Sequence, residues 1–403
     1  MDIAEITAVL RQASTVDSRE RDRVCEAAAA VLIDAGVEPP FDVPTSDFAA
    51  DPWLICADRY WRRRFLDAPA VEVAARCARW LADHAHTDHV TDIAEKWSLG
   101  YAFITKDTVE SREDLTVATG RIIEQFQGSA DICYFATVYH AGKLRANFWF
   151  DELHQFLESS LLAVAAGPHR ADPLFVALRA FAGFGSRALT AEYASELLDQ
   201  AWTASSRSRG VIDVCLNALW AASPFDAQGE QLRQHATEAV TEYPGDHLFR
   251  FRLATGQRMC ESYDEALDSI DAALRFLPAI GSRVSHKLLQ EQYMRERDMI
   301  QEGRQRARVA ADQQRRWQQQ DEANHELQHT LQTSAIRAVE LVAVFTAAIA
   351  FAVGSLQVTL TGTLGLGDRI VLLAALGGGL LLFALLIIAG TWIITGRRRA
   401  PDL

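Results

Sequence analysis

The segment His84-Ala85-His86-Thr87-Asp88-His89 gathers three imidazoles and a carboxylate within six residues. Imidazole nitrogens and carboxylate oxygens are zinc ligands. On an open loop His84, His86, Asp88 and His89 could hold two zinc ions and activate a water for hydrolysis. A second candidate pairs Cys133 with His140. Seven residues apart on one helix they share a face, but about 10 Å of axial rise separates them, too far for proton transfer. Core packing is the expected role of both. The run Arg59-Tyr60-Trp61-Arg62-Arg63-Arg64 mixes aromatics with bases as nucleic-acid surfaces do. In an acidic chain, an amphipathic helix that buries Trp61 is the better expectation, with a partner-docking patch as the alternative. None of the four lysines follows a Gly-rich turn, so no phosphate-binding loop is expected.

The HxHxDH spacing resembles the metal-binding signature of metallo-β-lactamase-type hydrolases, and that resemblance would imply a metal-dependent hydrolase. The family sets the motif after a β-strand and follows it with glycines. Here it follows residues 71–83, which read as a helix with Val73, Cys77, Trp80 and Leu81 on one face, and Val90-Thr91-Asp92 come next. No alternating strand pattern elsewhere supplies the β-sandwich. The expectation is an exposed polar linker with no resident metal. No catalytic residue and no cofactor is expected anywhere in the chain, and the hydrolase stays a distant alternative.

Prolines and glycines punctuate segments of helical length, which predicts an all-α fold. Ser18 and Asp51-Pro52 read as helix starts, the latter with proline at the first turn. In Ser262-Tyr263-Asp264-Glu265-Ala266-Leu267, Ser262 and Glu265 have capping-box spacing, and the helix should run through Ile270, Ala273 and Leu274 to Pro278. Leu253 and Ala254 stand thirteen and twelve residues before Ala266. These small residues, the aromatic Tyr263 at the turn and the terminating Pro278 resemble a tetratricopeptide repeat, which implies stacked helical hairpins. An Ala-x4-Pro ending recurs at Ala239…Pro244 and Ala163…Pro168, with Ala201 midway between Ala163 and Ala239. Four hairpins are therefore expected, their second helices ending near Ala163, Ala201, Ala239 and Ala273. Ser223-Pro224-Phe225-Asp226 should start the third of these second helices. Trp97-Ser98-Leu99-Gly100 with the capped helix after Ser111 would make a fifth hairpin. The resulting division is a helical region at 1–90, tetratricopeptide-like repeats at 91–280, a long charged helix at 281–334, and a membrane segment at 335–403.

From Ser285 to about Ser334 the charged helix holds one glycine, Gly303, and i,i+4 pairs Glu291/Arg295, Glu302/Arg306 and Asp312/Arg316. Leu289, Tyr293, Ile300, Ala307, Ala310, Trp317, Leu331 and Ala335 follow a 3–4 spacing interrupted by Glu296, Gly303, Gln314 and Asp321, a candidate coiled-coil stalk. Beyond it, residues 338–357 and 370–395 are free of charge apart from Glu340. A bilayer core needs about 20 apolar residues, so both read as transmembrane helices. Ala343/Ala347, Ala350/Gly354 and Ala374/Gly378 are small-residue pairs that let helices approach closely, between the two spans or between protomers. Glu340 and Gln357 should snorkel to the interfaces.

Arg337 precedes the first span and Arg397, Arg398 and Arg399 follow the second, so both chain ends are expected on the cytoplasmic side of a cell (inner) membrane. The N-terminus has neither the basic nor the apolar region of a signal peptide. Removing the five basic and three acidic residues beyond 333 from the 40 and 53 of the whole chain leaves 35 basic and 50 acidic, net −15. Such a surface disfavours nucleic acid. Six scattered cysteines without a CxxC pair read as small buried apolar residues in a reducing compartment. The expected function is a membrane-anchored scaffold whose repeat surface binds a protein or peptide, with lipid around the C-terminal hairpin and a homo-oligomer as a further partner state. The alternative from another class is a membrane-disrupting effector whose repeat domain senses a signal.

Overall fold

The protein, seen in a computed structural model, is described over residues 3–277, 283–360 and 365–396. It is all-α, with no strand among the described residues and a single isolated parallel bridge between Val43 and Ala85. The chain divides into two compact units, Met1–Arg304 and Gln305–Leu403.

The first unit opens with α1 (Ile3–Ala13), α2 (Ser18–Ala35) and α3 (Pro52–Asp67). Asp17 caps α2 by accepting from the amides of Arg19 and Glu20. Asp51 does the same for α3 with Trp53 and Leu54, with Pro52 at the first turn as its fixed φ favours. Then come α4 (Val71–His84), α5 (Thr87–Ile104), α6 (Arg112–Gln125) and α7 (Ala130–Ala146). Every residue of α7 from Phe135 to Leu144 is buried, so this helix is the axle of the N-terminal half. Aromatic rings run in file beside it. Trp61–Trp80 and Trp80–Trp97 centroids are each 6.1 Å apart, Trp97–Tyr101 5.7 Å, Tyr101–Phe65 4.6 Å and Phe65–Tyr139 4.8 Å. Each large side chain buried this way contributes roughly 1.5–3 kcal/mol.

α8 (Phe150–Ser159), the one-turn α9 (Leu161–Ala165) and a 3-10 turn (Gly167–Ala171) lead into paired helices. These are α10 (Pro173–Gly185) with α11 (Ala191–Trp202), α12 (Arg209–Ala221) with α13 (Gln228–Glu242), and α14 (His247–Met259) with α15 (Tyr263–Phe276). First helices also pack on first helices, α10 on α12 and α12 on α14, and α13 packs on α14. Three of the four expected second helices thus exist, holding Ala201, Ala239 and Ala273, while Ala163 sits in the single turn of α9. Two starts differ from expectation. Residues 223–227 form a loop, and α13 begins at Gln228 after Ala227 in the left-handed region (φ 63°). Ser262 does precede α15 but its side chain caps nothing. The fifth hairpin does not form either: α5 packs on α7 and α4, α6 on α4 and α9. α5 also runs through the expected boundary at residue 90.

A second core joins Phe251 and Ala254 of α14 with Ala266, Ile270 and Ala273 of α15. The rest of it comes from the start of α16 (Arg283–Leu360), whose Tyr293 and Ile300 are fully buried. Glu296 and Gly303, which break a coiled-coil seam, have their reason here. Glu296 is buried and accepts from Arg258 Nε at 2.7 Å, and the Tyr263 ring lies where a side chain on residue 303 would have to go. Arg297–Asp271 (2.7 Å) and Arg304–Asp264 complete the seam. Pro278 lies outside the described residues.

His169 in the 3-10 turn bridges two acids, Nδ1 to Asp172 and Nε2 to Asp131, each at 2.7 Å. Burial lowers its pKa, but the two carboxylates outweigh burial and raise it above the usual value of 6.5. Stability from this bridge is fully present below pH 6.5 and is lost as pH rises through the raised native value. His169→Asn is therefore expected to lower the melting temperature more at about pH 6 than at about pH 8.5. An equal deficit at both would show that the imidazole acts only through packing.

In the second unit α16 continues to Leu360 and α17 runs Leu366–Gly396. Both are long and apolar enough to cross a membrane. Phe351 of α16 lies on Gly377 of α17, its Cε2 3.6 Å from where a Cβ on that glycine would sit. Ala343, Ala347 and Gly354 share the half-buried stripe of Phe351, whereas Ala350, Ala374 and Gly378 are exposed. Asp312 pairs with Arg315 at 2.6 Å rather than with Arg316, one residue short of the expected partner. The arginines at 397–399 lie outside the described residues.

Candidate ligand-binding cavity

Glu110 stands in the loop ahead of α6, whose N-terminus Ser111 caps by accepting from the Asp114 amide. The Glu110 carboxylate accepts from the Val71 amide at 2.9 Å, where α4 begins and offers an unpaired N–H. Two side chains of α7 reach the other oxygen. Lys143 Nζ donates to it at 2.9 Å and to the Pro69 carbonyl at 2.8 Å, and His140 Nδ1 lies 3.2 Å away. Three separate segments are tied at one carboxylate.

The Lys143 side chain has no exposure at all, and those of His140 and Glu110 only 4% and 11%. Burial alone would raise the Glu110 pKa, but the His140 hydrogen bond and the Lys143 charge hold it down at about 2. Lys143 is lowered by desolvation, with the Glu110 charge opposing that shift. The pair is thus an ionised one in the interior, further faced by the Tyr139 ring 4.6 Å from Nζ.

Glu110 and His140 form the floor of a cavity of about 360 Å³ between α6, α7 and α8. Leu115, Leu144 and Phe156 make an apolar wall, and the His140 ring lies 4.6 Å from that of Phe156. Trp149 and Leu161 stand at the rim, 45% and 62% exposed. Arg112 Nη2 donates to Gln155 Oε1 at 2.6 Å across the mouth. Its volume is that of a small-molecule or side-chain pocket, and Thr119, Glu152, Gln155, Ser159 and Ser160 line it beside the apolar wall.

The four residues of the HxHxDH segment do not converge. His84 ends α4 and meets Asp42 at 3.1 Å, His86 precedes α5 and faces Asp88 at 3.6 Å, and His89 meets Ser46 at 3.4 Å. The expected linker is in fact a tight helix–helix junction, pinned by the bridge between Val43 and Ala85. Among the described residues no group of three or more His, Cys, Asp or Glu side chains is placed to hold a metal ion. His140 engages Glu110, and Cys133 is a buried thiol whose pKa burial raises. Trp61 is buried, while Arg59 meets Asp22 and Glu26 and Arg63 meets Asp67. Of the repeat residues, Ala254, Ala266 and Ala273 meet in the second core with Tyr263 packed against it, and Leu253 belongs to the larger core.

Glu110 and Lys143 were not singled out by spacing. The available signal was Lys143 itself, one of four lysines, set between Gly142 and Leu144 on a helix rich in apolar residues. An all-α chain with a cavity in its helical unit and two helices long and apolar enough for a bilayer is the class that the fold defines. Compared with protein-family models, curated proteins and solved structures, the chain matches none of them.

Proposed function

We propose that this chain is a membrane-anchored helical-repeat scaffold that binds a protein partner at the cytoplasmic face of the cell membrane. The observation that carries the reading is α16. One helix closes the second core with Tyr293 and Ile300 and also holds the first apolar segment, so the paired helices and the anchor are covalently one element. Stacked pairs whose first helices begin at Pro173, Arg209 and His247, with alanines at their contacts, support a tetratricopeptide-like arrangement. In that arrangement the exposed faces of successive helices make a continuous surface for a protein segment. The arginines at either end of the two spans support cytoplasmic placement of both chain ends.

The test compares the full chain with one lacking residues 335–403. The full chain is expected in the membrane fraction, resistant to alkaline extraction, and a periplasm-only reporter fused after Leu403 is expected to stay silent. Crosslinking should recover the same partner with both forms, at the membrane only with the first. Toxicity that appears only when the spans are present would instead make the chain a membrane-disrupting effector.

A further inference from the structure

We propose that the cavity between α6, α7 and α8 is a binding site for an aromatic ring that carries a hydrogen-bond donor on its edge, an indole or a phenol. This goes beyond the scaffold reading and does not depend on it.

The donor preference follows from the floor. A carboxylate accepts hydrogen bonds and cannot donate them. His140 Nδ1 faces Glu110 Oε2 at 3.2 Å, so the proton of that contact belongs on Nδ1. Lys143 already places a cation on that same carboxylate oxygen. Glu110 itself lines the cavity beside His140, and its carboxylate offers a ligand only acceptor lone pairs. A ligand offering only acceptors would set its lone pairs against this carboxylate, which sites built for a donor reject strongly.

The aromatic preference follows from the walls. Phe156 and Trp149 present ring faces or edges, Leu115 and Leu144 supply flat apolar contact, and Leu161 overhangs the mouth with most of its surface in water. A planar ring gains edge-to-face contact with such walls beyond its area alone. Glu152 adds a second carboxylate to the lining. The floor acid and the buried lysine balance one another, and Arg112 is held by Gln155 at the mouth. An N–H or O–H on the ring edge meets the acceptors that the lining carboxylates offer. The same chemistry is offered by a free indole or phenol and by a tryptophan or tyrosine side chain.

The experiment uses the full chain in lipid nanodiscs and 5-fluoroindole as the probe, followed by fluorine NMR line broadening. Saturable binding is expected, and 1-methyl-5-fluoroindole, which lacks the donor, should bind at least tenfold more weakly. Thr116→Trp, on the exposed side of α6 at the cavity wall, should abolish the saturable component while leaving partition into lipid unchanged. Glu110→Met with Lys143→Met should remove the preference for the unmethylated probe, and the Thr116 variant keeps the test decisive if that replacement does not fold. N-acetyltryptophanamide binding alongside the free probe would mark the site as one for a side chain; free indole binding alone would mark it as one for a small molecule. No saturable binding, equal binding of the methylated probe, or binding unchanged by Thr116→Trp would overturn the proposal. None of these results bears on membrane localisation or partner crosslinking.

Discussion

Glu110→Gln is expected to destabilise the helical unit by about 3–5 kcal/mol, the cost of stripping one partner from a buried ion pair. Lys143 would be left with the Pro69 carbonyl at 2.8 Å and no carboxylate, its ammonium still without any exposure. The Val71 amide at the start of α4 would face a weaker, uncharged acceptor, and His140 would lose the charge that orients it. A second line of reasoning gives a similar size. The Glu110 carboxyl moves from an ordinary 4.5 to about 2 on folding. At 1.36 kcal/mol per unit that is about 3 kcal/mol. Because the native value is the lower one, this stability is fully present above about pH 4.5 and is lost as pH falls toward 2. Chemical denaturation of the wild type and Glu110→Gln across that range should show the two midpoints converging in acid. Replacing both members, Glu110→Gln with Lys143→Met, should cost less than Glu110→Gln alone, since no charge is then stranded. A double variant as unstable as the sum of its parts would mean the pair is not a coupled unit.

Much of the architecture was legible because its signals are local. The two apolar helices follow from uncharged runs, and Asp51-Pro52 and Ser111 are read correctly as starts because a cap and its amides are neighbours in sequence. Local signals also mislead where backbone geometry intervenes. At Ser262 the backbone (φ −81°, ψ 64°) does not present the hydroxyl to the first-turn amides, so capping-box spacing exists without the box. Pro224 lies in a loop because the chain turns once more, through Ala227, before α13 begins. The 3–4 spacing around Tyr293 and Ile300 is a true apolar stripe, but it is filled by α14 and α15 rather than by another copy of the same helix. Spacing tells which face is buried and not what buries it.

The cavity was the least legible part. Its floor joins Glu110 from a loop to His140 and Lys143, thirty and thirty-three residues further on, with no pattern linking them. The HxHxDH segment shows the converse. Four ligand-type residues fall within six positions, yet a helix end and a helix start at the junction turn them toward Asp42, Ser46 and one another's flanks. Chemistry in this chain is brought together by α7 crossing beneath the α4 and α6 starts, and only tertiary packing reveals it.

Gly256→Val is expected to cost roughly 3 kcal/mol or more, at or beyond the upper end of ordinary overpacking. A Cβ at this position of α14 would lie 2.6 Å from the Arg233 amide nitrogen and 2.8 Å from its Cα, with the Leu232 carbonyl carbon at 3.1 Å. All three are backbone atoms of α13, so no side-chain rotation can relieve the contact. The two helices must move apart instead. Separation would loosen Phe251 and Ala254, which α14 contributes to the second core, and with them the packing around Tyr293. Gly120 is the control, since it is also a glycine within a helix but has nothing within 4 Å of an added Cβ. Gly120→Ala should stabilise by up to about 1 kcal/mol through helix propensity alone. Urea midpoints of the two variants should therefore move in opposite directions from the wild type. If Gly256→Val left the midpoint unchanged, α13 and α14 could not be in backbone contact, and the stepwise stacking of the paired helices would have to be redrawn.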